Sequence, residues 1–147
     1  MKKSILLVAC TLLMAFATNA QTADKPAPNP NAAEMTFDAL EFNFGTIKQG
    51  DSVNHEFEFV NNGKEDLIIT NATGSCGCTV PQYPKEAIKK GGKGSIKVTF
   101  NSAGKMGEQD KTVTITSNAK ISPVILHLKG KVEAPAPVAN PAATPGK

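Results

Sequence analysis

Two cysteines one residue apart, Cys76 and Cys78 in the segment Ser75-Cys76-Gly77-Cys78-Thr79, are the side chains here with the most chemistry to offer. Three chemistries suit that spacing. Joined to each other, the sulfurs would close a very small ring. Residues two apart in an extended strand stand about 6.5–7 Å between Cα atoms, against about 5.5–6 Å for a relaxed disulfide. The chain would have to bend at Gly77, the residue type that bends most freely, and a strained bond of that kind takes part in thiol–disulfide exchange. As two thiolates on one loop, the pair would suit Cu(I), or Zn(II) if further ligands joined. As a structural element, it would pin a loop or bury one thiol in a core. No acid, base or third cysteine accompanies the pair, so the structural reading takes precedence, with Ser75, Gly77 and Thr79 as the rest of the motif loop.

Other chemistry finds little support. His55 and His127 are the only histidines, and nothing in the sequence places either beside Cys76. His127 alternates against Leu126 and Leu128 and is expected to face solvent. His55 shares phase with Phe57 and Phe59 and is expected at the edge of a core. Glu56 and Glu58 share a strand face with no facing carboxylates, which reads as a solvated surface. Gly91-Gly92-Lys93-Gly94-Ser95 precedes a strand and lacks the order of a phosphate loop, so it reads as a hairpin loop. No catalytic residues are assigned and no cofactor is expected, copper or zinc at Cys76 and Cys78 being the alternative.

The elements that would position this loop occupy the middle of a 147-residue chain. Residues 1–20 carry the three-part pattern of an export signal: Lys2 and Lys3, the apolar run Ile5–Ala17, and Thr18-Asn19-Ala20 ahead of a cut before Gln21. The run falls short of the about 20 residues a membrane span needs. Leu7-Val8-Ala9-Cys10 resembles a lipobox, but cutting there leaves about five apolar residues, below the usual range. A lipidated Cys10 is therefore the lesser reading, and a periplasmic or extracellular location takes precedence over an outer-membrane lipoprotein. Of the acidic and basic residues the leader holds only Lys2 and Lys3, so its loss lowers the formal net charge from +3 to nearly neutral. Every basic residue is lysine. Without arginine forks or a basic footprint, nucleic-acid binding is disfavoured, and the absence of Trp with a single Tyr, Tyr83, argues against a carbohydrate- or base-stacking platform.

Residues 21–33 and 134–147 are rich in Pro and Ala and without apolar period. They read as disordered linker and tail, bracketing a folded unit at 34–133. Inside it the period is two. Leu40, Phe42 and Phe44 alternate with polar neighbours, and so do Val53, His55, Phe57 and Phe59. The same holds for Ile96, Val98 and Phe100, for Val113 and Ile115, and for Val124, Leu126 and Leu128. Leu67-Ile68-Ile69 is an apolar run expected to be buried on both sides. Lys85–Lys90 has room for one helical turn. Gly45 and the segments 48–51, 61–64, 91–94 and 102–105 are turn chemistry. The pattern predicts an all-β fold, an immunoglobulin-like antiparallel sandwich of about seven strands.

The residues also carry a resemblance. Leu40–Val53 fits F-x-F-G-x-I-x-x-G, His55–Gly63 fits H-x-F-x-F-x-N-x-G, and Ser75–Thr79 supplies S-C-G-C-T, with Gly94–Asn101 and Gly107–Asn118 matching later strands. In these the chain resembles the bacterial family called domain of unknown function 1573, over nearly all of residues 34–132. The resemblance implies an exported immunoglobulin-like module of the major-sperm-protein, PapD and Hydin type, and brings no reaction with it. The expected function is a non-catalytic module for protein–protein interaction or envelope structure, with an unknown protein partner. The alternative is redox or metal handling at the C-G-C pair.

Overall fold

The computed structural model describes residues 29–135. The leader with Cys10, most of the expected linker and most of the tail lie outside the described residues. Eight strands follow one another: β1 (Met35–Phe37), β2 (Glu41–Lys48), β3 (Ser52–Asn61), β4 (Ile69–Gly74), β5 (Thr79–Gln82), β6 (Lys93–Asn101), β7 (Gly107–Ser117) and β8 (Val124–Glu133). They form two four-stranded sheets ordered β1-β3-β6-β5 and β2-β8-β7-β4. The expected sandwich is present, with one strand more than the pattern suggested. β1 spans three residues, too few for alternation to reveal.

Alternation builds the core as expected. Phe57, Phe59, Ile96, Val98 and Phe100 face inward from one sheet, and Val113, Ile115, Leu126, Leu128 and Val132 from the other, all buried. Each such side chain contributes on the order of 1.5–3 kcal/mol by leaving water. Packing begins before β1: Ala32 and Ala33 are buried, and their backbone passes so close to Gly63 that an added Cβ there would lie 2.5 Å from Ala33 Cα.

Four local expectations change. One pair is parallel rather than antiparallel: the chain leaves the first sheet after β1 and β2 runs beside β8, Glu41 opposite His127. Gly45 makes no turn. It sits inside β2 with φ +71°, at the register shift between Asn43 and Thr46, so its left-handed backbone serves a β-bulge. Ile68 is 45% exposed while Leu67 and Ile69 are buried, because the chain leading into β4 is extended and turns only alternate side chains to the core. Lys85–Lys90 forms no helical turn. Ile88 exchanges two backbone hydrogen bonds with Leu67 (2.8 and 2.9 Å) and buries its side chain, pinning the loop flat.

Asn61, expected only as part of a turn, is a fully buried hub at the end of β3. Its Nδ2 donates to Glu65 O (2.8 Å) and Ile88 O (2.9 Å). Its Oδ1 accepts from the amides of Glu34 (3.2 Å) and Gly63 (3.0 Å). Two donor and two acceptor positions are all used, tying together three segments that lie far apart in sequence.

Candidate functional site

The motif loop lies where the chain passes from one sheet to the other, between Gly74 at the end of β4 and Thr79 at the start of β5. Backbone bonds shape the corner. Thr79 N–H donates to Cys76 O (3.1 Å), Ser75 N–H to Thr112 O (2.8 Å) and Asn101 N–H to Cys78 O (2.9 Å). Ser75 Oγ accepts from Thr112 N–H (3.1 Å), carrying the β4–β7 ladder one residue past the strand. Gly74 is required by space, since a Cβ there would collide with the backbone carbonyl of Thr79.

The bend brings Cys76 and Cys78 to 5.2 Å between Cα atoms, and the two sulfurs are bonded. Both residues are half-buried. The buried Thr79 turns its hydroxyl toward both, 3.6 Å from Cys76 Sγ and 3.9 Å from Cys78 Sγ. Gly77 differs from expectation. Its φ is not positive, and a Cβ placed on it would meet nothing within 4 Å. The bend therefore needs neither the conformational freedom nor the small size of glycine.

The histidines stay apart from one another. His55 stacks on Phe42 (3.7 Å between ring centroids) and meets Phe57 edge-on (4.6 Å), at the rim of the core as expected. Burial holds its pKa below the ordinary value, partly offset by the neighbouring Glu56 carboxylate. His127 Nδ1 lies 2.9 Å from Asp110 Oδ1 on the outer face. Among the described residues no group of three or more His, Cys, Asp or Glu side chains converges on a metal position. The bonded cysteines thus do not fit a closed zinc site, which needs four ligands.

Two surfaces escaped the sequence. On the outer face of the β3–β6–β5 sheet, Asn54, Glu56, Gln82, Lys97 and Thr99 line a shallow polar trough. Its groups mostly satisfy one another: Lys97 pairs with Glu56 (2.9 Å) and Thr99 donates to Asn54 (2.7 Å). The same pairing, with Ser95 donating to Glu56, holds the Glu56 carboxyl below its usual range. At the opposite edge of that sheet an apolar groove of about 680 Å³ opens between β1 and the start of β8, lined by Met35, Phe37, Leu40, Ile121, Val124 and Ile125. Ile121 carried the one available signal, an apolar residue in a turn with no alternating partner.

Comparison with known proteins gives fold and family. Among curated proteins none matches the sequence. A crystal structure of a protein of unknown function from Porphyromonas gingivalis is similar at a TM-score of 0.62 and 16% identity, covering 74% of this chain and 51% of that one. The chain thus spans about half the length of that relative. An ASH/PapD-like domain of human CEP192 is similar at a TM-score of 0.61 and 12% identity, covering 76% of this chain and 94% of that domain. The Vibrio cholerae protease VesB is similar at 0.52 and 16% identity, over 67% of this chain and 32% of the protease. At such identities these likenesses speak for the sandwich alone. The family itself is fixed by sequence: residues 35–132 match the profile described as protein of unknown function (DUF1573), and the chain belongs to that family.

Proposed function

We propose that this chain is a non-catalytic immunoglobulin-like module of the bacterial envelope, exported by a signal cleaved before Gln21, that acts by binding another protein. The observation that carries this reading is how the sheets end. β1, β5, β2 and β4 are all edge strands, and edge strands recruit partners by main-chain pairing. Ion pairs on the surface support it, because several charged side chains are engaged with each other and not gathered into a site: Lys89 with Asp66, Lys97 with Glu56, Lys120 with Glu34, Lys129 with Glu41. Under this reading the Ser75–Thr79 corner is structural and the Pro/Ala segments at both ends are spacers.

The test is crosslinking in the native envelope, with an intact mass for the recovered chain. A discrete protein partner and a mass starting at Gln21 are expected. A lipid increment on Cys10 would overturn the cleavage site and make the protein an anchored lipoprotein. Any turnover abolished by Cys76→Ser or Cys78→Ser would overturn the non-catalytic reading.

One observation favours a second reading. Cys76 and Cys78 are joined by a disulfide and are only partly buried as residues, and thiol–disulfide exchange needs a bond of this kind that a thiolate can reach. Rapid reduction by a stoichiometric dithiol, with return of the bond on oxidation, would bring redox function forward. Stoichiometric copper or zinc on the reduced protein would bring metal handling forward instead.

A further inference from the structure

We infer that the groove between β1 and the start of β8 is a peptide-binding site, which takes a short, uncharged, extended segment of another protein as an added strand beside Ile125. The inference rests on the interaction reading above and gives it a place and a ligand chemistry.

Main-chain groups on one wall await a partner. β2 begins to pair with β8 only at Glu41 opposite His127, where His127 N–H donates to Leu40 O (2.8 Å). Amides two residues apart point the same way along a strand, so Ile125 turns its N–H and C=O to the same side. No backbone bond from Leu40 or Asp38 reaches it. The other wall is β1. There the bonds Asn62 N–H to Glu34 O and Asp38 N–H to Glu58 O (2.8 and 3.2 Å) direct residues 34, 36 and 38 toward β3. Met35 and Phe37 accordingly present their N–H and C=O groups to the open side. An extended backbone is the ligand that satisfies such groups.

The rest of the surface points to the same place. Among the described residues, three of the six large exposed hydrophobic ones, Leu40 (50%), Ile121 (74%) and Ile125 (47%), gather here. The other edges are blunted. Pro81 within β5 has no N–H to offer a partner, and in β2 the bulge lets Asn43 Oδ1 take the Gly45 N–H (2.8 Å). On β4 the Tyr83 hydroxyl takes the Thr70 carbonyl (3.2 Å). Blunted edges beside one open, apolar edge make a selective strand acceptor.

Charge and size choose the occupant. The charged residues lining the groove, Glu34 and Lys120, pair with each other at 3.1 Å, so none is left over to attract a charged ligand. A volume of about 680 Å³ suits a few side chains, whereas a dimer needs about 800 Å² from each partner. The chain's own residues 21–28 contain Pro26 and Pro28 and make a poor strand.

The probe is a short blocked peptide of alternating valine and threonine with a terminal lysine, titrated against the full chain by amide NMR. Shifts centred on Met35, Phe37, Leu40, Ile121 and Ile125 are expected. Ile121→Lys should weaken binding by about tenfold or more, which is at least 1.4 kcal/mol, without altering the spectrum of the core. Peptide isomers N-methylated at odd or at even positions each lose the row of N–H groups that faces one wall, so both should bind more weakly than the unmethylated peptide. Several results would overturn the site: no binding, shifts elsewhere, or binding by both methylated isomers as tight as by the unmethylated peptide. Shifts at these amides with protein concentration alone would place a second copy there. Shifts on deleting residues 21–28 would place the chain's own segment there, and either would overturn it too. Wild-type crosslinking to the envelope partner by the Ile121→Lys variant would overturn the groove and leave the interaction reading standing.

Discussion

Replacing Asn61 with alanine removes four hydrogen bonds at once and adds no compensating contact. The Ile88 carbonyl and the Gly63 amide are partners at buried positions, the Glu65 carbonyl and Glu34 amide at partly buried ones. The Gly63 amide, buried and left without a partner, costs about 1–3 kcal/mol, whereas the Ile88 carbonyl keeps the Leu67 N–H, and it and the two groups that water can reach cost nearer 0.5 kcal/mol each. The expected loss is therefore about 3.5 kcal/mol, a large share of the roughly 5–15 kcal/mol that holds a domain of this size. At about 4–8 °C per kcal/mol, the midpoint of thermal unfolding should fall by about 14–28 °C. The chain has no tryptophan, so urea unfolding followed by far-UV circular dichroism is the suitable assay. Asn62→Ala, at the exposed neighbouring position, should change stability by no more than about 0.5 kcal/mol. Asn61→Asp adds a signed test. It keeps both acceptors but aims a carboxylate oxygen at two carbonyls, which raises its folded pKa above the unfolded value of about 3.9. The folded variant then binds more protons than the unfolded one between those values, so its deficit against the wild type should be smallest below about pH 4 and grow as pH rises. A loss under about 1.5 kcal/mol for Asn61→Ala, or a pH-independent deficit for Asn61→Asp, would refute the hub.

His55 gives a pH dependence of opposite sign. Burial lowers its folded pKa, so the unfolded chain binds more protons between that pKa and about 6.5, and stability should rise with pH across that window. His55→Phe, which keeps the stack on Phe42, should flatten the slope in urea midpoints between pH 5 and 8. Gly94→Ala should cost about 1–3 kcal/mol by urea unfolding, because its Cβ would sit 2.6 Å from Cζ of the buried Phe59. Gly77→Ala should stay within about 0.5 kcal/mol in the same assay, since its new methyl meets open space.

Alternation is a local signal, and where one face of a strand meets the core it was enough. Phe57 and Phe59, Ile96 to Phe100, Val113 and Ile115, and Leu126 and Leu128 all point where the period placed them. Features set by partners far along the chain stayed hidden. Nothing near Gly45 says that β2 will run beside β8 and need a bulge there. Nothing near Asn61 says that Glu34 and Ile88 will present groups for its amide, and the same Asn-Asn-Gly letters spell an ordinary turn. The groove was hidden for the converse reason: it arises where β2 stops short of Ile125, and the place where a strand ends has little sequence signature. The motif loop was legible as a location and as a bent chain. The role given to Gly77 was not, because the bend falls within φ values open to other residues.

The disulfide at that corner is a weak candidate for a stabilising staple. Chain-entropy gain grows with the loop closed, and a bond at sequence separation 2 closes one of the smallest loops available, worth about 1.6 kcal/mol in that model. The corner is also held without it, by the bonds of Thr79 N–H to Cys76 O, Ser75 N–H to Thr112 O and Asn101 N–H to Cys78 O. The Cys76→Ser/Cys78→Ser double variant should accordingly unfold in urea with a loss of no more than about 1.6 kcal/mol, less than half that of Asn61→Ala. That expectation separates the roles of the motif. A loss well above it would make the bond structural in the full sense, with strain or packing beyond chain entropy. A small loss with undiminished partner crosslinking would leave the sulfurs as a minor local constraint. A small loss together with abolished crosslinking would move the recognition surface from the β1–β8 groove to the β4–β5 corner, where the sulfurs themselves would be the groups a partner meets.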